Sequence, residues 1–206
     1  MGRKSLKDAR QKEIIIAFYK LAKKEGLENT SIAKIAKVMD INPSLIIHYF
    51  KTREDLTYGL IDYILDKYQL IYKVNPQKSV NSKAALMEII DNIFSKKWNT
   101  LFDDGLFYSC YSLTFREKNV RDMYKKILDS LRQNLTDYIG KCKLEGLLDV
   151  DDPKSTSDDI FVLVDGAYFY LSLVTDKAEY KEKIMKYKQQ AIGMLNLTET
   201  SALLPG

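Results

Sequence analysis

Apolar side chains recur along this chain at intervals of three and four residues, the spacing that gathers them on one side of an α-helix. No segment alternates apolar and polar positions as a half-buried strand would. The pattern predicts an all-α protein of about nine helices. The first runs from about Lys7 to Lys24, with Ile14, Phe18, Leu21 and Ala22 inward, and Gly26 closes it behind a lysine-rich last turn. Thr30 or Ser31 caps a short helix over Ile32–Val38. A tight turn, Met39–Ile41, leads to Asn42 and Pro43, a cap followed by a proline at the first helical position. Thr52 with Asp55 three residues on resembles a capping box, and opens a helix carrying Leu56, Leu60, Ile64 and Tyr68. After a polar linker over 72–82, helices are expected near 82–101, 105–118, 120–144, 156–175 and 177–195.

Composition adds bounds. The 206 residues are 46% hydrophobic and 29% charged, enough apolar material for a packed core. No apolar run reaches the roughly 18 residues that span a bilayer, and the N-terminus lacks a signal-peptide pattern, so the chain is expected to stay in the cytoplasm without a membrane. Two cysteines, Cys110 and Cys142, make no disulfide framework, and one histidine makes no zinc cluster; no metal or cofactor is expected. The net charge of +4 is unevenly placed. Residues 1–56 hold 12 Lys and Arg against 7 Asp and Glu, while the rest hold 20 against 21. Cations concentrated at one end suit a nucleic-acid partner.

Residues 31–50 sharpen that expectation. Two helices of about seven residues flank a three-residue turn. Ile35, Ala36, Ile41, Ile46 and Phe50 are spaced to pack on the first helix, leaving Pro43, Ser44, Leu45, Ile47 and His48 outward or partly so. Small and apolar residues on an exposed helix edge suit entry into a DNA major groove.

The strings Gly26-Leu-Glu-Asn-Thr-Ser-Ile-Ala-Lys-Ile-Ala36 and Ile41-Asn-Pro-Ser-Leu-Ile-Ile-His-Tyr-Phe-Lys51, followed by Arg53 and Leu56, resemble the DNA-binding segment of the TetR family of regulators. The Ile46-Ile-His-Tyr-Phe50 portion is most similar to the choline-sensing branch. The resemblance covers residues 10–60 in detail. It implies a helix-turn-helix DNA-binding domain over 1–53 and a ligand-binding and dimerisation domain over 54–206. Position by position, it implies that Ser31 caps the second helix and meets a phosphate. Asn42, Ser44 and His48 would face base edges or phosphates. Pro43 and Leu45 would touch a thymine methyl. Tyr49 would bond a phosphate, and Lys51 and Arg53 would clamp the backbone, with Arg3 and Lys4 as an arm. The chain departs from the family at Asp40, where Gly is usual, and at Ala33, Ser44 and Ile47.

Two features of the C-terminal half call for a use. Trp98, Phe102, Phe107, Tyr111 and Phe115 make a dense aromatic segment, with Tyr124 on the next helix and Tyr168 further on. They would line a pocket for a small hydrophobic or cationic effector, although the four-residue spacing of Phe107, Tyr111 and Phe115 also fits a plain core stripe. The helix at 156–175 is apolar almost all round. Burial by its own domain on one side and by a second copy on the other explains it, and in the TetR family the last two long helices (here about 156–195) form a homodimer. The expectation is a ligand-responsive regulator, a repressor released from a palindromic double-stranded operator. An activator of the same fold or a ligand-free helical adaptor is the alternative. Without a phosphate-binding glycine loop, a metal cluster or a nucleophile motif, the chain is not expected to be an enzyme.

Overall fold

A computed structural model of the chain describes residues 3–75, 81–95 and 103–198. Among the described residues there are nine α-helices and no strand: α1 (Arg3–Glu25), α2 (Ile32–Met39), α3 (Pro43–Tyr49), α4 (Arg53–Asp66), α5 (Ser82–Ile93), α6 (Asp104–Ser112), α7 (Lys118–Leu144), α8 (Pro153–Leu171) and α9 (Lys177–Met194). Two short 3-10 turns, Lys67–Tyr72 and Leu113–Phe115, follow α4 and α6. Their contacts group the chain into two compact units. One comprises residues 1–67 and 101–125, the other 68–100 and 126–206.

In the first unit α1 is the spine. Ile14, Ile15, Phe18, Leu21 and Ala22 are buried along it, and α2, α3, α4 and α6 all pack against it. Ile35 and Ala36 from α2, Ile46 from α3 and Phe50 just beyond complete the helix-turn-helix core. Each fully buried aliphatic side chain of this kind contributes about 1.5–3 kcal/mol. The α4 face Leu56, Leu60, Ile61, Ile64 and Leu65 closes the other side. Gly59 lets α4 approach closely: a Cβ there would lie 2.8 Å from Ile15 Cδ1 and 3.2 Å from Phe50 Cε1. The caps are those the sequence predicts, including the reciprocal Thr52–Asp55 capping box.

In the second unit Leu131, Leu135, Ile139 and Cys142 line one side of α7, and α9 packs on both α8 and α5. Arg132 ties α7 to α8. Its guanidinium lies 3.1 Å from Asp165 and 3.7 Å from Asp158, with its carbon 4.8 Å from the Phe161 ring centre. A single antiparallel bridge, Leu148 with Leu197, fastens the segment after α9 to the α7–α8 connection.

Several boundaries differ from the sequence expectation: α1 starts at Arg3 and not Lys7, and Tyr68 falls in the 3-10 turn after α4. α5 ends at Ile93, and residues 96–102 lie outside the described ones. The helix expected over 105–118 ends at Ser112, and after the 3-10 turn α7 begins at Lys118, so Lys118 starts a helix instead of ending one. α8 starts at Pro153 and not Thr156, because the Asp152 carboxylate accepts from the Lys154 N–H and Pro153 occupies the first helical position. Asp-Pro at that point is a start signal in its own right.

Candidate functional site

The backbone chemistry of residues 30–55 builds an exposed helix edge. Ser31 Oγ accepts the Lys34 N–H at 3.3 Å and starts α2. α2 ends in a left-handed residue, Asp40 (φ 53°, ψ 49°), whose turn lets the Ile41 N–H reach the Ala36 carbonyl at 3.0 Å. This six-to-one closure aims the chain into α3. Asn42 Oδ1 then accepts both the Ser44 N–H at 2.9 Å and the Ser44 hydroxyl at 2.8 Å. Asn42 thereby turns its amide N–H groups, and Ser44 its oxygen lone pairs, toward the surroundings.

Ile46 is completely buried under α3, which fixes the helix by one side. Asn42, Pro43, Ser44, Ile47 and His48 are exposed, while Leu45 and Tyr49 are half-buried. Ile47 is 49% exposed, a large apolar side chain left in water on the helix edge. The His48 ring stands edge-on to Tyr49 at 5.2 Å. A contact that sequence spacing did not predict holds the end of α3: Gln11 Nε2 of α1 donates to the Tyr49 carbonyl at 3.2 Å. Lys51 and Arg53 are exposed at the entry to α4, beside the free N–H groups of its first turn. Ile41, expected against α1, is only half-buried. Lys34 is engaged elsewhere, bonding Glu25 Oε2 and the Asn29 carbonyl, both at 2.8 Å. That hydrogen bond holds the Glu25 carboxyl below its ordinary range.

The far end of α4 is fastened to α1 by a cation clasp. Lys67 Nζ sits 3.7 Å from the Tyr19 ring centre and 4.5 Å from that of Tyr63, and the two rings meet edge-on at 5.4 Å. Burial, with the Lys23 charge adding to it, lowers the Lys67 pKa. Lysines are common on helix surfaces, and nothing in the sequence marks this one.

Four of the aromatic residues expected around a ligand come together in the first unit. The Phe107 and Tyr111 rings lie nearly parallel at 6.1 Å, Tyr124 meets them edge-on at 6.1 and 5.3 Å, and Phe115 meets Tyr111 at 5.9 Å. Tyr124 is buried, Tyr111 is 38% exposed and Phe115 is 74% exposed. Tyr168 lies in the second unit, where its hydroxyl donates to the Ile93 carbonyl at 2.7 Å. Trp98 and Phe102 lie outside the described residues. Both cysteines are buried, and burial pushes the Cys110 thiol up to about 12 and that of Cys142 up to about 11.

On α8 the buried side is Ser157, Ile160, Phe161, Ala167 and Leu171. Its other side is apolar and bare: Val162 is 69%, Phe169 64% and, just beyond the helix, Leu173 70% exposed. Met185 and Met194 on α9 are exposed as well. No described helix is long and apolar enough to cross a membrane.

Comparison with known proteins places these features. Residues 14–57 match the profile described as "Bacterial regulatory proteins, tetR family", and residues 81–197 match "Tetracyclin repressor-like, C-terminal domain". An HTH-type transcriptional regulator of Staphylococcus aureus (strain MRSA252) is 31% identical over 163 residues, which are 69% of this chain and 86% of that protein. A TetR transcription regulator from Haloarcula marismortui has the same fold, with a TM-score of 0.80 and 19% identity over 93% of this chain and all of the other. A transcriptional regulator from Saccharomonospora viridis, solved in complex with choline, superposes with a TM-score of 0.71 at 14% identity, over 93% and 99% of the two chains.

Proposed function

The chain belongs to the TetR family of DNA-binding transcriptional regulators, and from that premise we propose that it is a homodimeric repressor released from a palindromic operator by a small-molecule effector. It acts in the cytoplasm, with residues 1–53 as the DNA-binding part and 54–206 as the sensing and dimerising part. The observation that carries this reading is the bared edge of α3. Pro43, Ser44, Ile47 and His48 face outward from a helix pinned by buried Ile46, and Lys51 and Arg53 stand beside it.

Asn42, Ser44 and His48 supply hydrogen bonds to base edges, while Pro43, Leu45 and Ile47 supply methyl contacts to thymine. Ser31, Tyr49, Lys51 and Arg53 hold phosphates and set the register. One such helix reads few bases. Two copies, paired through the bare apolar side of α8 and through α9, reach successive major grooves about 34–36 Å apart. The effector lies against Phe107, Tyr111, Phe115 and Tyr124. α6, which carries Phe107 and Tyr111, packs directly on α1, the spine of the reading unit. The effector binds the DNA-free state more tightly by the coupling energy, typically about 1–3 kcal/mol.

The test uses DNA selected from a random-sequence library by the purified full-length protein. His48→Ala and Arg53→Ala should each weaken binding by about ten-fold or more, a loss of roughly 1–3 kcal/mol per contact. Because both side chains are exposed, thermal stability should not move. Unchanged affinity in both variants removes the assignment of this surface.

A further inference from the structure

Among the described residues, Tyr124 carries the one buried side-chain nitrogen or oxygen without a hydrogen-bond partner, its hydroxyl. The residue is 3% exposed. A phenol O–H kept from water and left unpaired costs about 1–3 kcal/mol. Elsewhere this chain meets the same demand. The Tyr72 hydroxyl donates to the Leu131 carbonyl, Tyr168 to Ile93, Ser157 to Arg132 and Thr30 to Gly26. A phenylalanine at position 124 would make the same ring contacts without that cost, so packing against Phe107 and Tyr111 does not account for the oxygen.

The surroundings restrict what could pair with it. Burial first, then Cys110 and Tyr111, push the Tyr124 phenol far above its ordinary value, so it stays protonated and donates. The Cys110 thiol beside it carries no charge at neutral pH, since burial pushes it up to about 12. Among the described residues no cation acts on the Tyr124 phenol, so an anion brought here would lose its hydration without a replacement, and an ammonium has no lone pair to accept the O–H. A neutral acceptor escapes both penalties.

We propose that the Tyr124 hydroxyl anchors the effector, and that the effector is a neutral, largely apolar molecule whose carbonyl or ether oxygen accepts this O–H while its body lies against Phe107 and Tyr111. The inference rests on the reading of the chain as an effector-responsive regulator and narrows that effector to one chemical class.

The test compares four probes on the full chain by NMR titration. Acetophenone is the neutral acceptor, ethylbenzene its shape without the acceptor, benzoate the anion and choline the cation. In the unaltered protein acetophenone should bind about five- to ten-fold more tightly than ethylbenzene, the worth of one neutral hydrogen bond. In Tyr124→Phe that preference should vanish, with ethylbenzene bound at least as well and the melting temperature equal or higher. Equal binding of acetophenone and ethylbenzene to the unaltered protein overturns the proposal, as a tightly held water on the hydroxyl would produce. Stronger binding of benzoate or choline overturns the class, and failure of all four to bind overturns the site. A DNA readout separates this from the parent reading. If acetophenone binds through Tyr124 and the selected DNA stays bound, the anchor stands and the sensor reading fails. If another compound releases DNA equally from the unaltered protein and from Tyr124→Phe, the sensor stands and the anchor fails.

Discussion

Asp40 holds a backbone conformation that suits glycine, at φ 53° and ψ 49°, and holds it at the carboxyl end of α2 where a negative charge meets the negative end of the helix. The turn it makes is indispensable, because the Ile41 N–H must close on Ala36 before α3 can start. Asp40→Gly should therefore keep the turn and remove both penalties, stabilising the protein by about 1 kcal/mol, or about 2–4 °C in melting temperature for a chain of this size. Calorimetry on the two proteins checks this, and a lower melting temperature would mean that the carboxylate has a partner role. The sequence resemblance marked position 40 as a departure, but only the dihedral angles give it a sign. The clasp of Lys67 between Tyr19 and Tyr63 is the opposite case. Tyr63 and Lys67 are one helical turn apart, but Tyr19 comes from α1, and no local pattern joins it to them.

At the scale of elements, α8 divides into two apolar faces. One is filled by its own unit through Ile160, Phe161, Ala167 and Leu171, while Val162, Phe169 and Leu173 stand in water. Exposed apolar groups at helical spacing on one side are what a partner helix covers. Phe169→Glu should leave the fold intact, since the residue is 64% exposed, and should shift the protein from dimer to monomer in sedimentation at micromolar concentration. A variant that stays dimeric would move the interface off this face. The sequence marks α8 as apolar almost all round, but periodicity cannot tell which half this chain buries. The start of α8 is legible in the Asp152–Pro153 cap, which stands before the apolar run begins. The break after Ser112 is less legible. The segment from Leu113 to Lys118 carries neither glycine nor proline, and the Thr114 carbonyl accepts from Arg121 Nε at 3.0 Å, seven residues further on.

For the whole molecule, DNA affinity should depend on how many phosphates two subunits neutralise. In the proposed complex Lys51 contributes one contact per subunit. Lys51→Ala should lower affinity about equally for all DNA sequences and reduce the slope of log affinity against log salt by about 2 per dimer. An unchanged slope would place Lys51 off the backbone. By itself the sequence determined the helical class, the helix-turn-helix with its caps and buried side, and the basic bias of the first 56 residues, because each follows from spacing and local backbone chemistry. Tertiary structure alone decided which long-range neighbours each side chain has. It set Gln11 on the end of α3, closed Gly59 against Ile15 and Phe50, and gathered Phe107, Tyr111 and Tyr124 in the same compact unit as the DNA-reading helices. It also left the Tyr124 hydroxyl unpaired. A hydrogen-bond account closes only when every partner is in place, and those partners come from segments that no short-range pattern connects.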